Sequence, residues 1–297
     1  MLSPPADLDG QALLATLHEQ YGVTVAQLEF QPVGEDSWCY RAGPLWVSVR
    51  RDLHGHVPAA YQGAARLRSV GLEFVLAPLC GADGCATRRI GNYPVVVFPY
   101  LEAAQLQPGA VKRADAEAAV LALDRLHAAE IELDVPSEDY RLCFEAELDL
   151  AVEVAAARTL DTGPFGEPLR ELLSRHRYLL EQLRAEYARV ARCCSRAEAP
   201  FRLTHGEPLI SNFLATSERL LVADWGELMW GPPERDWSHV IRTLGIDVPC
   251  RPEFKRLYDL RWILSEIAEY VSVFAAPHHR SSDASAMWQR LILILSC

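Results

Sequence analysis

The first hundred residues alternate between helical and strand-like spacing of apolar side chains. Residues 8–21 carry apolar positions at helical intervals, and Asp9 is placed to cap the helix that this spacing predicts. Strand-like runs follow at Val23–Pro32 and Ser37–Arg51, and a turn sequence at residues 42–44 divides the second run. The pattern predicts a helix, a strand, a glycine-containing loop and two further strands.

A second helix and a buried strand complete this N-terminal region. The alanine-rich segment Pro58–Ser69 predicts a helix, and apolar runs at Phe74–Leu79 and Tyr93–Tyr100 predict strands. Residues Val95–Phe98 are β-branched or aromatic and apolar throughout, as expected of a central strand that is buried on both faces.

The remainder of the chain is predicted to be mostly helical. Helical spacing recurs in three segments, at residues 114–129, 169–192 and 253–275, and the tail at 287–295 is apolar enough to pack. Residues 201–225 differ, because two short strand-like runs there flank loops. Since the apolar pattern is broken at Pro99, we expect a small, β-rich N-terminal lobe at residues 1–100 and a larger, mostly helical lobe at 101–297.

The composition fits a well-buried globular protein. The chain has 297 residues, of which 50% are hydrophobic and 23% are charged. Its net charge of −11 argues against nucleic acid as a partner, because sequence-independent binding needs a basic face that neutralises phosphates. An acidic protein suits a cationic small molecule instead.

The cysteines and the N-terminus give no sign of metal binding or of export. None of the eight cysteines belongs to a C-x-x-C pair, so we interpret them as reduced thiols that serve as small hydrophobic residues. The N-terminus shows no basic segment before an apolar run, and no uncharged stretch approaches the roughly 20 residues of a membrane span. These features predict a cytoplasmic protein without a membrane partner.

The residues with the clearest chemistry lie in the segment 203–240. His205, Glu207 and Asn212 share one loop, and Asp224 follows at the end of an apolar strand. Phosphoryl transfer requires a carboxylate that receives the proton of the attacking hydroxyl, and oxygen ligands that hold Mg²⁺ against nucleotide phosphates. Asn212 and Asp224 supply the hard oxygen atoms that Mg²⁺ prefers. The segment therefore indicates phosphoryl transfer to a hydroxyl group.

The order of these groups is more specific than any one of them. After the His-Gly-Glu loop and the strand come Asp224-Trp225 and then a Gly-Pro-Pro-Glu-Arg-Asp run that ends at Asp236. In this combination the segment resembles the catalytic core of the aminoglycoside phosphotransferase and choline kinase family, and most of all its spectinomycin phosphotransferase-like branch. The resemblance extends over essentially the whole chain. It implies an α+β, two-lobed fold like that of the protein kinases.

The resemblance also implies roles by position. It implies Glu207 as the catalytic carboxylate in a loop that contains His205, with Asn212 and Asp224 as Mg²⁺ ligands. Asp236 is implied as a brace for that loop, and ATP or GTP as the phosphoryl donor. The family usually has aspartate where this chain has Glu207, but the chemistry of a carboxylate base is the same.

The expected nucleotide site has two ends. We expect the base near Val97–Glu102, which contains the break at Pro99, Tyr100 and Leu101, and the phosphates near Asn212 and Asp224. The loop that contains Gly34 and Ser37 lies where the resemblance places the loop that covers the phosphates. Backbone N–H groups of this loop and the Ser37 hydroxyl could contact phosphate. A plain hairpin turn explains the same residues equally well.

One strand departs from the family pattern. Ser48 occupies the position of the lysine that contacts the phosphates, and Gln62 is matched to its usual glutamate partner. Losing both charges together avoids leaving one of them buried without a partner. Arg50 lies two residues from Ser48 on the same strand face and could bind phosphate in place of the lysine; the alternative is a solvated charge at the strand end.

Two glutamates are candidates for contact with the acceptor. Glu227, three residues after Asp224, could bind a cationic substrate or be a surface charge. Glu266 lies on a helix that walls the acceptor pocket in the resembled family, although its apolar neighbours on that helix are expected to face the core.

Three functions are weighed. The first is an ATP- or GTP-dependent O-phosphotransferase that acts, with Mg²⁺, on a hydroxyl of a small polar molecule, with aminoglycoside- and aminocyclitol-like antibiotics as first candidates. The second is a catalytically impaired kinase-like protein that binds a nucleotide or small molecule, which the changes at Ser48 and Gln62 motivate. A protein kinase fits least, because no long activation segment lies between Asp224 and Gly231.

Overall fold

The computed structural model describes residues 4–5, 7–33, 37–50 and 57–296. Within these ranges the helices are α1 Gly10–Tyr21, α2 Pro58–Ser69, α3 Arg113–His127, α4 Glu145–Ala156, α5 Gly166–Arg175, α6 Arg177–Cys194, α7 Glu234–Leu244, α8 Pro252–Ala275 and α9 Ser282–Ser296. The strands are β1 Glu29–Gln31, β2 Ser37–Ala42, β3 Leu45–Arg50, β4 Thr87–Ile90, β5 Tyr93–Pro99, β6 Ala104–Gln105, β7 Arg202–Thr204, β8 Phe213–Ala215, β9 Leu220–Val222 and β10 Met229–Gly231.

A five-stranded antiparallel sheet forms the N-terminal region. Its strand order is β1-β2-β3-β5-β4, and β2 meets β3 across a tight turn in which Gly43 has a φ of +61°. A side chain is strained at such an angle, so glycine suits the turn. In this register Ser48 lies opposite Cys39 of β2 and opposite Val96 of β5. The strands expected on both sides of the turn are confirmed.

The two faces of β3 have different surroundings. Val47 and Val49 belong to a hydrophobic core that also contains Leu17 of α1. Because successive side chains of a strand point to opposite faces, Ser48 and Arg50 lie on the other side of the sheet. Both residues line a cavity there.

Short strands carry the segment that contains the expected catalytic residues. β7 pairs with β10, and β6, β8 and β9 form a three-stranded sheet. Helix α7 begins after two prolines and is followed by Gly245, which has the left-handed conformation common at helix ends. The ends of β7, β9 and α7 bring their neighbouring loops into one site.

The chain divides into two compact units. One consists of Met1–Glu138 with Ala199–Pro249, and the other of Asp139–Glu198 with Cys250–Cys297. The first unit contains the five-stranded sheet and the residues expected to be catalytic. The expected boundary near residue 101 divides the chain once along the sequence, whereas each compact unit consists of two separate segments. The boundary between lobes therefore stays a prediction.

The second unit is helical. Its longest helix, α8, packs against α4 and α6, and α9 packs against α8. Phe254, Leu264 and Phe274 of α8 are fully buried in this unit. Across the described ranges of the chain, no helix combines the length and the apolar character that crossing a membrane requires.

Two expected strands are wrong in whole or in part. Of the run Val23–Pro32, only Glu29–Gln31 is a strand, and the apolar residues before it pack against the core beside α1. The run Phe74–Leu79 is no strand: Val75 makes a single bridge with Val222. Its apolar character reflects burial, since its first two side chains are almost fully buried.

The single helix expected at 169–192 is also wrong, because α5 and α6 are separated at His176. This residue has φ −104° and ψ +13°, outside the helical range. Its ring Nδ1 lies 2.9 Å from the carbonyl oxygen of Leu172, which also accepts the backbone N–H of His176. Side chains that bond a carbonyl one turn back bend helices.

Candidate active site

Asp236, near the start of α7, is the centre of a buried hydrogen-bond network. Its Oδ1 accepts the backbone N–H of Gly206 at 2.7 Å, and its Oδ2 accepts the backbone N–H of His205 at 3.0 Å. The ring Nε2 of His127, at the end of α3, lies 2.8 Å from the same Oδ2. Burial by itself raises the pKa of Asp236, but the bond and charge of His127 and the Gly206 N–H together hold that pKa below its usual range.

His205 connects the loop after β7 to the end of β9. Its Nε2 lies 2.8 Å from the carbonyl oxygen of Ala223, and its Nδ1 accepts the backbone N–H of Glu207 at 3.3 Å. This pattern fits a neutral ring that donates from Nε2, and burial lowers the pKa of His205 accordingly. Because both ring nitrogens have partners within the protein, the side chain holds the loop rather than facing the cavity.

Glu207 and Asn212 are held in one loop. The side-chain Nδ2 of Asn212 donates to the carbonyl oxygen of Glu207 at 2.8 Å. The carbonyl oxygen of Asn212 accepts the backbone N–H of Ala223 at 2.8 Å. The loop is therefore tied to the residue that precedes Asp224.

Asp224 follows β9 in a left-handed backbone conformation, with φ +61° and ψ +63°. Aspartate tolerates this conformation better than most residues. Its Oδ1 lies 3.3 Å from Nη1 of Arg50 on β3, and 40% of its side chain is exposed. The adjacent Trp225 is fully buried and packs edge-on against His205, with ring centroids 4.7 Å apart.

A cavity of about 650 Å³ in the first unit brings many of the expected residues together. Those that line it are Ser37, Ser48, Arg50, Pro99, Tyr100, Leu101, Asn212 and Asp224. Gly34 lies outside the described residues. Glu207 and Glu227 are not among its lining residues, and neither are the buried His205 and Asp236. The nucleotide and metal candidates thus share one cavity, while the buried residues support the loops around it.

One end of the cavity is aromatic. The rings of Trp46 and Tyr100 are stacked with centroids 6.4 Å apart, and the guanidinium of Arg41 lies 4.3 Å from the centre of the Tyr100 ring. Phe98, which pairs with Trp46 across β3 and β5, also lines the cavity. Phe98 belongs to the segment expected near the base, whereas Trp46 was not predicted as a site residue.

Arg235 stands in the Glu-Arg-Asp run but was not predicted as a site residue. It is buried, and its guanidinium donates to Thr204 Oγ1 at 3.2 Å and to the carbonyl oxygen and Oε2 of Glu227 at 3.0 and 3.1 Å. The Glu227 side chain is 60% exposed. Glu227 therefore has an intramolecular partner, and its contact with a substrate stays a prediction.

Gln62 is bonded to a loop before β4. Its amide bonds the backbone of Gly84 and Ala86, at 3.2 and 3.0 Å, and so holds this loop. The residue of α2 that lies beside Arg50 is Tyr61, whose ring centre is 5.8 Å from the guanidinium carbon. An aromatic ring thus stands beside the cation.

Glu266 belongs to the second, helical unit. It accepts a hydrogen bond at 2.8 Å from the hydroxyl of Tyr270, one turn along α8. Burial and the neighbouring carboxylate raise the pKa of Tyr270. Contact between Glu266 and an acceptor stays a prediction.

Comparison with solved structures shows a kinase-like fold. The chain is similar to a spectinomycin phosphotransferase in complex with ADP and spectinomycin, with a TM-score of 0.68, 13% identity and 98% of each chain covered. It is also similar to choline kinase LicA from Streptococcus pneumoniae, with a TM-score of 0.59, 12% identity, and 96% of this chain and 98% of that chain covered. The expected α+β, kinase-like fold is confirmed, with a β-sheet N-terminal region and a mostly helical C-terminal region.

Sequence comparison shows the family. The chain belongs to the phosphotransferase enzyme family, whose model matches residues 48–270, and the expectation of a kinase or phosphotransferase is confirmed. It is 46% identical over 272 residues to protein StrN of Streptomyces griseus, covering 89% of this chain and 85% of that protein.

Proposed function

We propose that this chain is an ATP-dependent O-phosphotransferase that acts on a hydroxyl group of a small polar molecule. One observation supports it above all: a single loop, tied to β9, holds Glu207 and Asn212, and Asn212 shares a 650 Å³ cavity with Asp224. Cavities of this size are typical of small-molecule sites. Two oxygen ligands at such a cavity, with a carboxylate in the loop that holds one of them, are the groups that phosphoryl transfer requires.

Glu207 is the proposed base. The acceptor hydroxyl gives its proton to the Glu207 carboxylate while its oxygen forms a bond to the γ-phosphorus. The bond between the γ-phosphorus and the bridging oxygen breaks, which yields ADP and a phosphate ester. Asp236 and His205 hold the backbone of this loop, so that the carboxylate is positioned by buried hydrogen bonds rather than by a mobile chain.

Asn212 and Asp224 are the proposed Mg²⁺ ligands. Because Nδ2 of Asn212 donates to the Glu207 carbonyl, the amide oxygen is left as the group available to a cation. The Asp224 carboxylate lines the same cavity. These hard oxygen donors fit Mg²⁺, which when bound neutralises charge on the β- and γ-phosphates.

Adenine suits the aromatic end better than guanine. The backbone N–H of Tyr100 donates to the carbonyl oxygen of Pro44 at 2.8 Å. Because backbone groups alternate along an extended chain, the Pro99 carbonyl and the Leu101 N–H are directed to the opposite side. They would present one acceptor and one donor, which match the N6 amino group and N1 of adenine. Guanine has the reverse pattern, with an acceptor at O6 and a hydrogen on N1.

The acceptor class is proposed from charge and from relatives. A net charge of −11 favours a cationic acceptor. Spectinomycin phosphotransferase and choline kinase, to which the fold is similar, are named for acceptors of the aminocyclitol and amino-alcohol types. An aminocyclitol- or aminoglycoside-like alcohol is therefore the first class to test. The alternative of binding without efficient transfer is supported by Ser48, which leaves the expected lysine position without a charge.

The test is turnover with a matched pair of variants. The chain is incubated with Mg²⁺, ATP and a panel of aminocyclitols, aminoglycosides and amino alcohols, and ADP and the phosphorylated product are measured. Glu207→Gln should lower kcat by about 10²- to 10⁴-fold with little change in nucleotide affinity. Glu19→Gln, an exposed glutamate on α1, is the control. Nucleotide binding without any phosphorylated product, or full activity of Glu207→Gln, would contradict the proposal.

A further inference from the structure

The cavity has few positively charged side chains for a site that binds phosphates. Among its described lining residues, Arg50 is the only one with a basic side chain, and Asp224 adds an acidic one. Ser48, at the position where the resembled family has lysine, is neutral and almost fully buried. A triphosphate adds several negative charges, which need a cation from the protein as well as a metal ion.

Arg50 is positioned to supply this cation. It follows Ser48 by two residues on the same face of β3, and its side chain is only 21% exposed. Nη1 lies 3.3 Å from Asp224 Oδ1, so the guanidinium stands at the metal-ligand end of the cavity. The Tyr61 ring lies alongside. These contacts argue against a solvated charge at the strand end.

We propose that Arg50 is the phosphate-binding residue of this enzyme and that it changes partner when the substrate complex forms. Without nucleotide it pairs with Asp224; when the metal ion takes that carboxylate, the guanidinium turns to the nucleotide phosphates. Arginine suits this role because its planar fork can bind two phosphate oxygens at once. The inference rests on the proposed function.

The surroundings explain why no second carboxylate is required on α2. Tyr61 stands beside the cation, and an aromatic face stabilises a guanidinium without taking up its charge. Gln62 is engaged with the loop before β4. A glutamate beside Arg50, where Tyr61 stands, would compete with phosphate for the guanidinium. Asp224 does not compete in this way once its carboxylate binds the metal ion instead of Arg50.

In the variant Arg50→Gln, the affinity for a metal ion and the affinity for ATP should change in opposite directions. Mn²⁺, a paramagnetic substitute for Mg²⁺, should bind the nucleotide-free protein about two- to fivefold more tightly, because the competing cation is gone. In the presence of Mg²⁺, ATP should bind about 10- to 100-fold more weakly. The first is measured by electron paramagnetic resonance and the second by calorimetry. A merely structural role for Arg50 would weaken both.

Two further variants test the location of the charge. Arg50→Lys should lose about three- to tenfold in ATP affinity, because a point charge replaces a bidentate donor. The double variant Ser48→Lys with Arg50→Ala moves the cation to the family position. It should bind ATP more tightly than Arg50→Ala alone. Arg66→Gln, an exposed arginine on α2, is the control and should bind both ligands as the unaltered chain does.

The outcomes separate the two proposals. If the unaltered chain binds ATP with Mg²⁺ and Arg50→Gln binds it equally well, the role of Arg50 is overturned and the proposed function stands. If Arg50→Gln binds Mn²⁺ and ATP both more weakly while the other Arg50 variants fold normally, the exchange of partners is overturned. If the unaltered chain binds no nucleotide, the proposed function itself is overturned and this inference with it.

Discussion

The guanidinium of Arg235 lies directly against Gly206, in the loop that carries Glu207. A Cβ atom at Gly206 would overlap the guanidinium, and the φ of Gly206 is +100°, which side chains rarely adopt. Arg235 is held in place by bonds to Thr204 and to both the backbone and the side chain of Glu227. One buried arginine thus joins the start of the loop that carries Glu207 to the segment after Asp224.

Gly206→Ala should therefore lower stability for two reasons. The positive φ costs about 1–2 kcal/mol for a residue with a side chain, and displacing a well-packed group costs about 1–3 kcal/mol more. We expect a loss of about 2–5 kcal/mol in the free energy of unfolding, measured with urea, and a lower kcat because Glu207 moves with the loop.

The matched control for Gly206 is Gly245, which follows α7. It also has a positive φ, of +65°, but a Cβ there would have no neighbour within 4 Å. Gly245→Ala should therefore lose only the backbone contribution, about 1–2 kcal/mol. Equal losses at the two positions would show that contact with Arg235 does not constrain the loop.

Asp236→Asn should lower stability at neutral pH much more than at acid pH. The carboxylate accepts two backbone N–H groups and faces His127, and an amide would turn an NH₂ group toward one of these donors. Leaving such groups unsatisfied costs about 2–4 kcal/mol. Because the pKa of Asp236 is lowered by folding, its contribution is present above the unfolded pKa of about 3.9 and is lost as pH falls through the folded value.

Urea unfolding at pH 7 and at pH 3.5 checks this dependence. The difference between the unaltered chain and Asp236→Asn should shrink at the lower pH, because the unfolded chain then takes up a proton at Asp236 that the folded chain binds only at lower pH. Asp149→Asn, an exposed aspartate paired with Arg184, is the control and should change stability by less than about 1 kcal/mol. A difference that is the same at both pH values would contradict the linkage.

The sequence predicts regular elements best where a local signal sets their ends. Pro58 at the first turn gave α2 its observed bounds, and the turn at 42–44 gave the β2–β3 hairpin. The order of residues 203–240 indicated a candidate site, and the structure brings Asn212 and Asp224 to one cavity. His176, by contrast, divides a continuous helical pattern through a bond to its own preceding turn, which periodicity does not report.

Contacts between distant segments could not be predicted. That α2 sets Tyr61 beside Arg50, and directs Gln62 to a loop, depends on how the helix is rotated against the sheet. The sequence shows Arg235 as part of a motif. Its bonds to Thr204 and Glu227 form only because the start of α7 lies beside β7 in the fold. Tertiary packing determines these partners, and the spacing of residues along the sequence does not predict that packing.

His239 should contribute to a loss of stability below neutral pH. It is buried, and its Nδ1 lies 2.6 Å from Nη2 of Arg242. Burial, together with this positive charge, lowers the pKa of His239 well below its usual value. The unfolded chain therefore takes up a proton below about pH 6.5 that the folded chain does not, so stability falls as pH decreases, by up to about 1.4 kcal/mol per pH unit.

His239→Gln should flatten this part of the stability profile. Glutamine keeps an oxygen that can accept from Arg242 but takes up no proton. The free energy of unfolding is measured in urea between pH 7.5 and pH 5.5, where the variant should lose less than the unaltered chain. His279→Gln, an exposed histidine, serves as the comparison. A slope unchanged by His239→Gln, with the same variant folded at pH 7.5, would exclude His239 as a source of the acid sensitivity.

The backbone next to Tyr100 should make the enzyme prefer ATP to GTP. The Tyr100 N–H is already used by Pro44, so a base would meet the Pro99 carbonyl and the Leu101 N–H. Guanine would set its O6 against the first and its N1 hydrogen against the second. Leaving two polar groups opposed in a cavity should weaken binding by about 10- to 100-fold, measured by calorimetry at one Mg²⁺ concentration.

ITP separates this explanation from simple exclusion by shape. Its base has the O6 and N1–H of guanine but lacks the 2-amino group. If the backbone pattern decides, ITP should bind as weakly as GTP. If ITP binds as tightly as ATP while GTP does not, the cavity rejects the 2-amino group instead, and the assignment of Pro99 and Leu101 as base contacts is wrong.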